Sequence, residues 1–285
     1  SGVEITAVNR GGKVNLSVDP PTHYVRLINA VTPGWGGKNW FSVDRTGTPG
    51  DILVQGNCRT QAGPYSVAIE NPALFFGRLL QEALLKAGIG VNGHVLESPV
   101  PDDCEFRLAA QFATPLSDCL QRINKDSLGL AAEALMKTLG ARANADGKKG
   151  SWEGGGKVLS EYLKGLGADG SEFFIADGSG LSRDNRLSAN VLTRVLIHLS
   201  SNPYWDVFKG SLAVGGLDGT IGNHFWEKRY RGRVLAKSGY IQAVRALSGV
   251  ACTDSGDYIF SFLANKAGNG TRSAIDNCVK AVMDW

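Results

Sequence analysis

The stretch RGRVLAKSGYIQAVRALSGVAC, Arg231–Cys252, sets the reading of the whole chain. It places Lys237 between a β-branched run and a Ser-Gly, just ahead of a second segment of strand character. By itself a Lys-Ser-Gly describes a surface hairpin with a solvated lysine. On a strand that lines a cleft it describes something else. The strand edge offers backbone groups to an extended peptide, the lysine adds positive potential, the hydroxyl can bind a carboxylate, and the glycine clears the approach.

The chain around it bounds the options. Its 285 residues, 43% of them hydrophobic and 20% charged, suffice for one large domain or two ordinary ones. A net charge of +3, spread along the sequence, gives no basis for nucleic-acid binding. No apolar run reaches membrane-spanning length, and SGVEITAVNR at the start reads as an exposed strand rather than a signal peptide. The five cysteines include no CxxC and the four histidines lie far apart, so neither a metal nor another cofactor is expected. A Cys104–Cys119 bridge stays open at this level.

Residues 1 to about 70 read as short strands (VEITAV, HYVRLINAV, NWFSVD, DILVQG, YSVAIE) between Gly-, Pro- and Asn-rich turns. Asn71-Pro72 then opens a helix whose apolar face is expected to be Phe76, Leu79, Leu80, Ala83, Leu84 and Ala87, with Gly88 as the stop. A boundary near residue 102 divides a β-rich domain, 1–102, from a mixed domain, 103–285. Beyond it helices are expected over PLSDCLQRI, SLGLAAEALMKTLG, Trp152–Leu166, SANVLTRVLIHL and Ser273–Trp285. In the second of these, Leu128, Ala131, Ala132, Leu135 and Leu139 are expected to share the buried face, and Glu133 and Lys137 to form an exposed i,i+4 pair. Strands are expected at Arg233–Lys237, Val244–Thr253 and Tyr258–Ala264. The GGG and DGSG clusters fit neither nucleotide-loop pattern.

Three blocks, ADGSGLSRDNRLSANVLTRVL, GLDGTIGNHF and RGRVLAKSGYIQAVRALSGVA, resemble the C-terminal half of the D-Ala-D-Ala carboxypeptidase/endopeptidase family, low-molecular-mass penicillin-binding proteins with inserted domains. NKDSLGLAAEALMKTLG resembles its Ser-x-Asn segment, and NPALFFGRLLQEALLKAGIGVNG the helix closing its inserted domain. The resemblance implies an α+β fold: the C-terminal part of a penicillin-binding, β-lactamase-like transpeptidase domain, an antiparallel sheet with flanking helices, preceded by a β-rich inserted domain. It implies serine acyl transfer on peptidoglycan stem peptides outside the cytoplasm, with β-lactams as inhibitors.

Carried over by position, Lys237, Ser238 and Gly239 match the Lys-Thr-Gly motif as substrate-binding residues, and Ser127 the serine of Ser-x-Asn as a proton relay. A helix cap is the plainer reading of Ser127. Two positions depart from the family: Gly129 stands for the asparagine, removing an amide, and Tyr240 stands where a second hydroxyl often follows the glycine. None of the 14 lysines has a serine three residues before it, so no Ser-x-x-Lys is present. The resemblance places that motif ahead of the inserted domains, and the expectation is that this chain begins inside the insertion and is inactive alone. The alternative is a peptidoglycan-binding relative without a nucleophile. Ser1 as an N-terminal nucleophile is a third reading, although Ser-Gly at a terminus reads more simply as a cleavage scar.

Remaining residues take bland roles. Asp177 and Ser179 read as turn-forming, Asp184 and Asn185 as the turn before a helix, and His224 as structural or exposed. The resemblance also implies a five-stranded sheet of which this chain carries the last three strands. Tyr258–Ala264 would then be an open edge, to be covered by an N-terminal segment, a second copy of the chain, or the 1–20 region.

Overall fold

Alternating apolar residues in the first ten positions make a strand with one buried face, and the computed structural model bears that pattern out. It describes residues 2–34, 39–99, 105, 110–143 and 149–285. The chain forms two compact units, Ser1–Leu108 and Ala109–Trp285. The boundary expected near residue 102 falls outside the described residues.

In the first unit β1 (Gly2–Arg10) lies between β2 (Lys13–Asp19) and β6 (Gln61–Ala68), antiparallel to both. Val3, Ile5 and Ala7 are each 1% exposed, so this strand is central to its sheet and not the exposed strand expected. The period of two turns all three toward one face. It also engages the 1–20 region here, not on a distant strand edge. A second sheet places β5 (Asp51–Cys58) between β3 (Arg26–Pro33), parallel to it, and β4 (Trp40–Arg45), antiparallel. Ile5, Ile52, Val54 and Val67 build the core with Phe75 of α1 (Pro72–Lys86).

Asn71 caps α1, its side chain accepting from the Leu74 amide at 2.8 Å. The buried face differs from the one expected. Phe75 is 5% exposed, whereas Phe76 and Leu80 are 69% and 50% exposed. Apolar residues occur nearly all round this helix, so periodicity could not choose among them; the Tyr24 ring, 5.2 Å from that of Phe75, did.

In the second unit a four-stranded antiparallel sheet runs β12 (Gly256–Asn265), β11 (Val244–Thr253), β10 (Val234–Ile241), β9 (Ala213–Val214). Three strands were expected. The fourth is two residues long, too short to leave a period in the sequence. Ala236, Leu247, Ala251 and Phe260 bury against Ile275 and Val279 of α7 (Thr271–Asp284). Among the described residues β12 pairs with β11 alone and is the sheet edge.

Helices α2 (Leu116–Lys125), α3 (Gly129–Ala143), α4 (Trp152–Gly165), α5 (Ala189–Ser200) and α6 (Trp205–Ser211) complete the unit, with a small ladder of β7 (Phe173–Phe174) and β8 (Arg186–Leu187). Expectation missed α6. The residues buried on α3 are Met136 and Gly140, while Leu128 and Leu139 stay well exposed. The reason is close helix packing. A Cβ on Gly140 would stand 2.6 Å from the Gly155 nitrogen, and one on Gly155 2.3 Å from the Met136 carbonyl oxygen. The GGG cluster therefore lies inside α4, as a flat face for α3. No helix among the described residues is long and apolar enough to cross a membrane. Cys58, Cys119, Cys252 and Cys278 are free thiols, and Cys104 lies outside the described residues.

Candidate active site

The link between α2 and α3 sets the first site residue. Helix α3 starts at Gly129, and the Ala131 and Ala132 amides bond back to the Leu128 carbonyl. Ser127 sits outside the helix at φ +56°, left-handed backbone that an L-residue enters at a cost. A capping residue is extended, so Ser127 does not cap α3. Its hydroxyl instead accepts from Lys237 Nζ at 2.9 Å, across 110 residues of sequence.

Lys237 reaches that point from β10. Its ammonium also donates to the Ser238 carbonyl at 2.5 Å. Burial holds the Lys237 amine below the usual lysine range, and no carboxylate contact offsets it. Strand β9 pairs only with Leu235 and Ala236, so the outer edge of β10 from Lys237 onward is free. An extended peptide could add there as a further strand. Gly239 lies on that open stretch.

Ser238 points to the other face of β10 and donates to Thr220 Oγ1 at 2.7 Å. Thr220 stands in a 3₁₀ turn, Gly219–Ile221, that Lys125 ties down. Lys125 Nζ donates to the Leu212 carbonyl at 2.9 Å and to Asp218 at 2.6 Å, and Asp218 accepts from the Val214 amide at 2.7 Å. Gly219 has φ +60°, and a Cβ there would press 2.6 Å from that of Ala213.

These hydroxyls open on a cavity of about 330 Å³ that Ser127, Thr220 and Ser238 line together with Arg245, Arg272 and His224. The structure thus brings Ser127, Lys237, Ser238 and Gly239 to one place. His224 is neither exposed nor remote: its Nδ1 lies 2.9 Å from Asp276, with both side chains mostly buried. Thr220, Arg245 and Arg272 escaped the sequence reading. Thr220 was within reach, since it lies in the GLDGTIGNHF block. Arg245 was too, because a two-residue turn at Gln242–Ala243 pairs Tyr240 with Arg245.

Behind Ser127 a hydrogen-bonded loop carries none of this chemistry. Asp177 accepts from the Gly180 and Ser182 amides at 2.7 and 2.6 Å and from Asn185 Nδ2 at 2.7 Å. Asn185 Oδ1 accepts from the Ala176 amide at 2.8 Å. Glu133 of α3 accepts from the Gly178 and Ser179 amides at 3.0 and 3.1 Å and from Trp152 Nε1 at 2.7 Å. Glu133 therefore does not pair with Lys137, whose ammonium lies 3.6 Å over the Trp152 ring. The loop packs against Gly129, where a Cβ would meet that of Ser179 at 3.2 Å. Among the described residues no group of three or more His, Cys, Asp or Glu could hold a metal ion.

This arrangement has known relatives. A model of the D-Ala-D-Ala carboxypeptidase 3 (S13) family matches residues 2–283. The chain belongs to that family. It is 32% identical over 273 residues to a D-alanyl-D-alanine carboxypeptidase of Actinomadura sp. (strain R39), covering 92% of this chain and 50% of the relative. It is 27% identical over 210 residues to the D-alanyl-D-alanine carboxypeptidase DacB of Haemophilus influenzae, covering 72% of this chain and 43% of the relative. The chain spans about half the length of the curated relatives it matches. Among solved structures, penicillin binding protein 4 (dacB) from Haemophilus influenzae, complexed with a β-lactam, superposes with a TM-score of 0.70. At 22% identity, covering 100% of this chain and 68% of that one, the likeness is one of fold. That fold is the α+β one expected.

Proposed function

We propose that the chain is the binding and proton-relay part of a serine D-Ala-D-Ala carboxypeptidase/endopeptidase acting on peptidoglycan stem peptides outside the cytoplasm, with β-lactams as substrate mimics. The observation that carries this is the Lys237–Ser127 contact at the free edge of β10. A peptide laid along that edge presents its scissile carbonyl near a hydroxyl already hydrogen-bonded to an amine. Burial weakens that amine's hold on its proton, which suits it to pass a proton through Ser127 to a leaving amine. In this reading Lys237, Ser238 and Gly239 bind, Ser127 relays, residues 1–102 form an inserted domain, and 103–285 belong to the acyl-serine domain. Attack is assigned to none of them, because the sequence holds no Ser-x-x-Lys.

Gly129 favours a second reading, a peptide-binding relative without acyl transfer, since the amide of Ser-x-Asn is absent there. Fluorescent penicillin separates the two. This chain, denatured after incubation and run on a gel, should carry no label. A longer product of the same gene bearing a Ser-x-x-Lys should be labelled under the first reading and unlabelled under the second. A labelled band at the mass of this chain would overturn the assignment of Ser127 to relay.

A further inference from the structure

The cavity has a deep end that the relay does not use. In β10–β11 Tyr240 stands directly opposite Arg245, and the guanidinium lies 3.6 Å over the Tyr240 ring. Opposed residues of an antiparallel pair share a face, so Tyr240, Arg245 and Ser238 all project toward the α7 side of the sheet. From α7 comes Arg272, whose Nη2 donates to Asn223 Oδ1 at 2.8 Å and to the Asn223 carbonyl at 3.4 Å. Both guanidiniums line the same cavity as Ser238 and Thr220.

Among the described residues neither arginine has a carboxylate partner. The one acid in the lining, Asp276, is engaged by His224 at 2.9 Å. Two permanent cations beside two hydroxyls, without a protein counter-ion, form a site for an external anion. Its position fixes which anion. The Lys237–Ser127 contact lies on one face of β10, and the cavity follows Ser238 and Tyr240 onto the other. A peptide on the strand edge with its carbonyl at Ser127 therefore has its end within reach of Arg245.

We propose that Arg245, stacked on Tyr240 and seconded by Arg272, binds the free C-terminal carboxylate of the peptide on β10, making the site selective for peptides that end there. This rests on the peptide-binding reading above. It also gives Tyr240 a purpose: where a hydroxyl is missing, the ring holds flat a guanidinium that can grip both oxygens of a carboxylate.

The test is equilibrium binding of this chain to diacetyl-Lys-D-Ala-D-Ala and to its C-terminal amide, followed by NMR titration. The wild-type chain should prefer the acid by at least about tenfold, as a charge-assisted contact predicts. Arg245→Gln should reduce the acid-to-amide ratio to near unity with the amide affinity unchanged. Arg245→Lys should keep part of it, and Arg272→Gln should lower it less. Amide-proton spectra report whether each variant is folded, and the ratio does not depend on the fraction that is. An unchanged ratio in Arg245→Gln overturns the proposal and leaves the peptide-binding reading intact. Failure of wild type to bind either peptide overturns both.

Discussion

Two polar clusters flank Ser127, and they differ in how they use hydrogen bonds. In the 176–185 loop the carboxylates of Asp177 and Glu133 and the amide of Asn185 are taken up by nearby backbone N–H groups and side chains. Around the cavity the groups are sparsely partnered: Lys237 has two acceptors, Ser238 one, and Arg245 an aromatic ring. A closed network stabilises, since each buried acceptor is matched. An open one holds capacity for a ligand and costs stability while empty. That contrast separates scaffold from site here, where residue types alone do not, for DGSG and KSG look equally suggestive in the sequence.

The contrast predicts opposite signs for substitutions in the two clusters. Asp177→Ala should be the most harmful, at roughly 3 kcal/mol, because it leaves the Gly180 and Ser182 amides and Asn185 without an acceptor. Urea denaturation of the second unit's signal measures it, and a loss below about 1 kcal/mol would break the comparison.

Glu133→Gln should cost about 1–2 kcal/mol at neutral pH and carry a pH signature. Burial pushes the Glu133 carboxyl up, but the bonds from Ser179, Gly178 and Trp152 outweigh it and hold the group below its ordinary range. A carboxyl with a lowered folded value stabilises fully above its unfolded value, about 4.3, and that contribution is lost as pH falls through the folded value. Asp177 behaves alike, its burial outweighed first by Asn185. Denaturation at pH 7 and pH 3 should therefore show a smaller acid loss in Glu133→Gln than in wild type.

Lys237→Met should reverse the sign, stabilising the chain by about 1 kcal/mol at pH 7 while abolishing peptide binding. Burial lowers the Lys237 pKa, so between the folded and unfolded values the unfolded chain binds more protons and wild-type stability rises with pH. Methionine should remove that alkaline rise.

The smallest effect belongs to Ser127. Its φ of +56° favours glycine, so Ser127→Gly should gain about 0.5 kcal/mol, backbone relief offset by glycine's chain entropy. Thermal denaturation resolves it; a clear loss would mean that the Lys237 contact is structural.

Sequence alone determined the class of fold, the helix opened by Asn71-Pro72, the β10–β11 hairpin and the candidate residues Ser127, Lys237, Ser238 and Gly239. All of these rest on local periods, turn chemistry or short motifs, which a chain carries without its tertiary contacts. Tertiary structure decided what no local pattern encodes. It chose Phe75 over Phe76 on a helix apolar all round, and buried glycines where α3 meets α4. It turned Glu133 from a surface pair into the anchor of a loop 45 residues away and added β9, two residues long, at the sheet edge. It also brought His224, Asp276, Arg245 and Arg272 into one cavity. Pairings between residues far apart in sequence depend on which faces the packed core leaves facing each other, and that is settled only when the core closes.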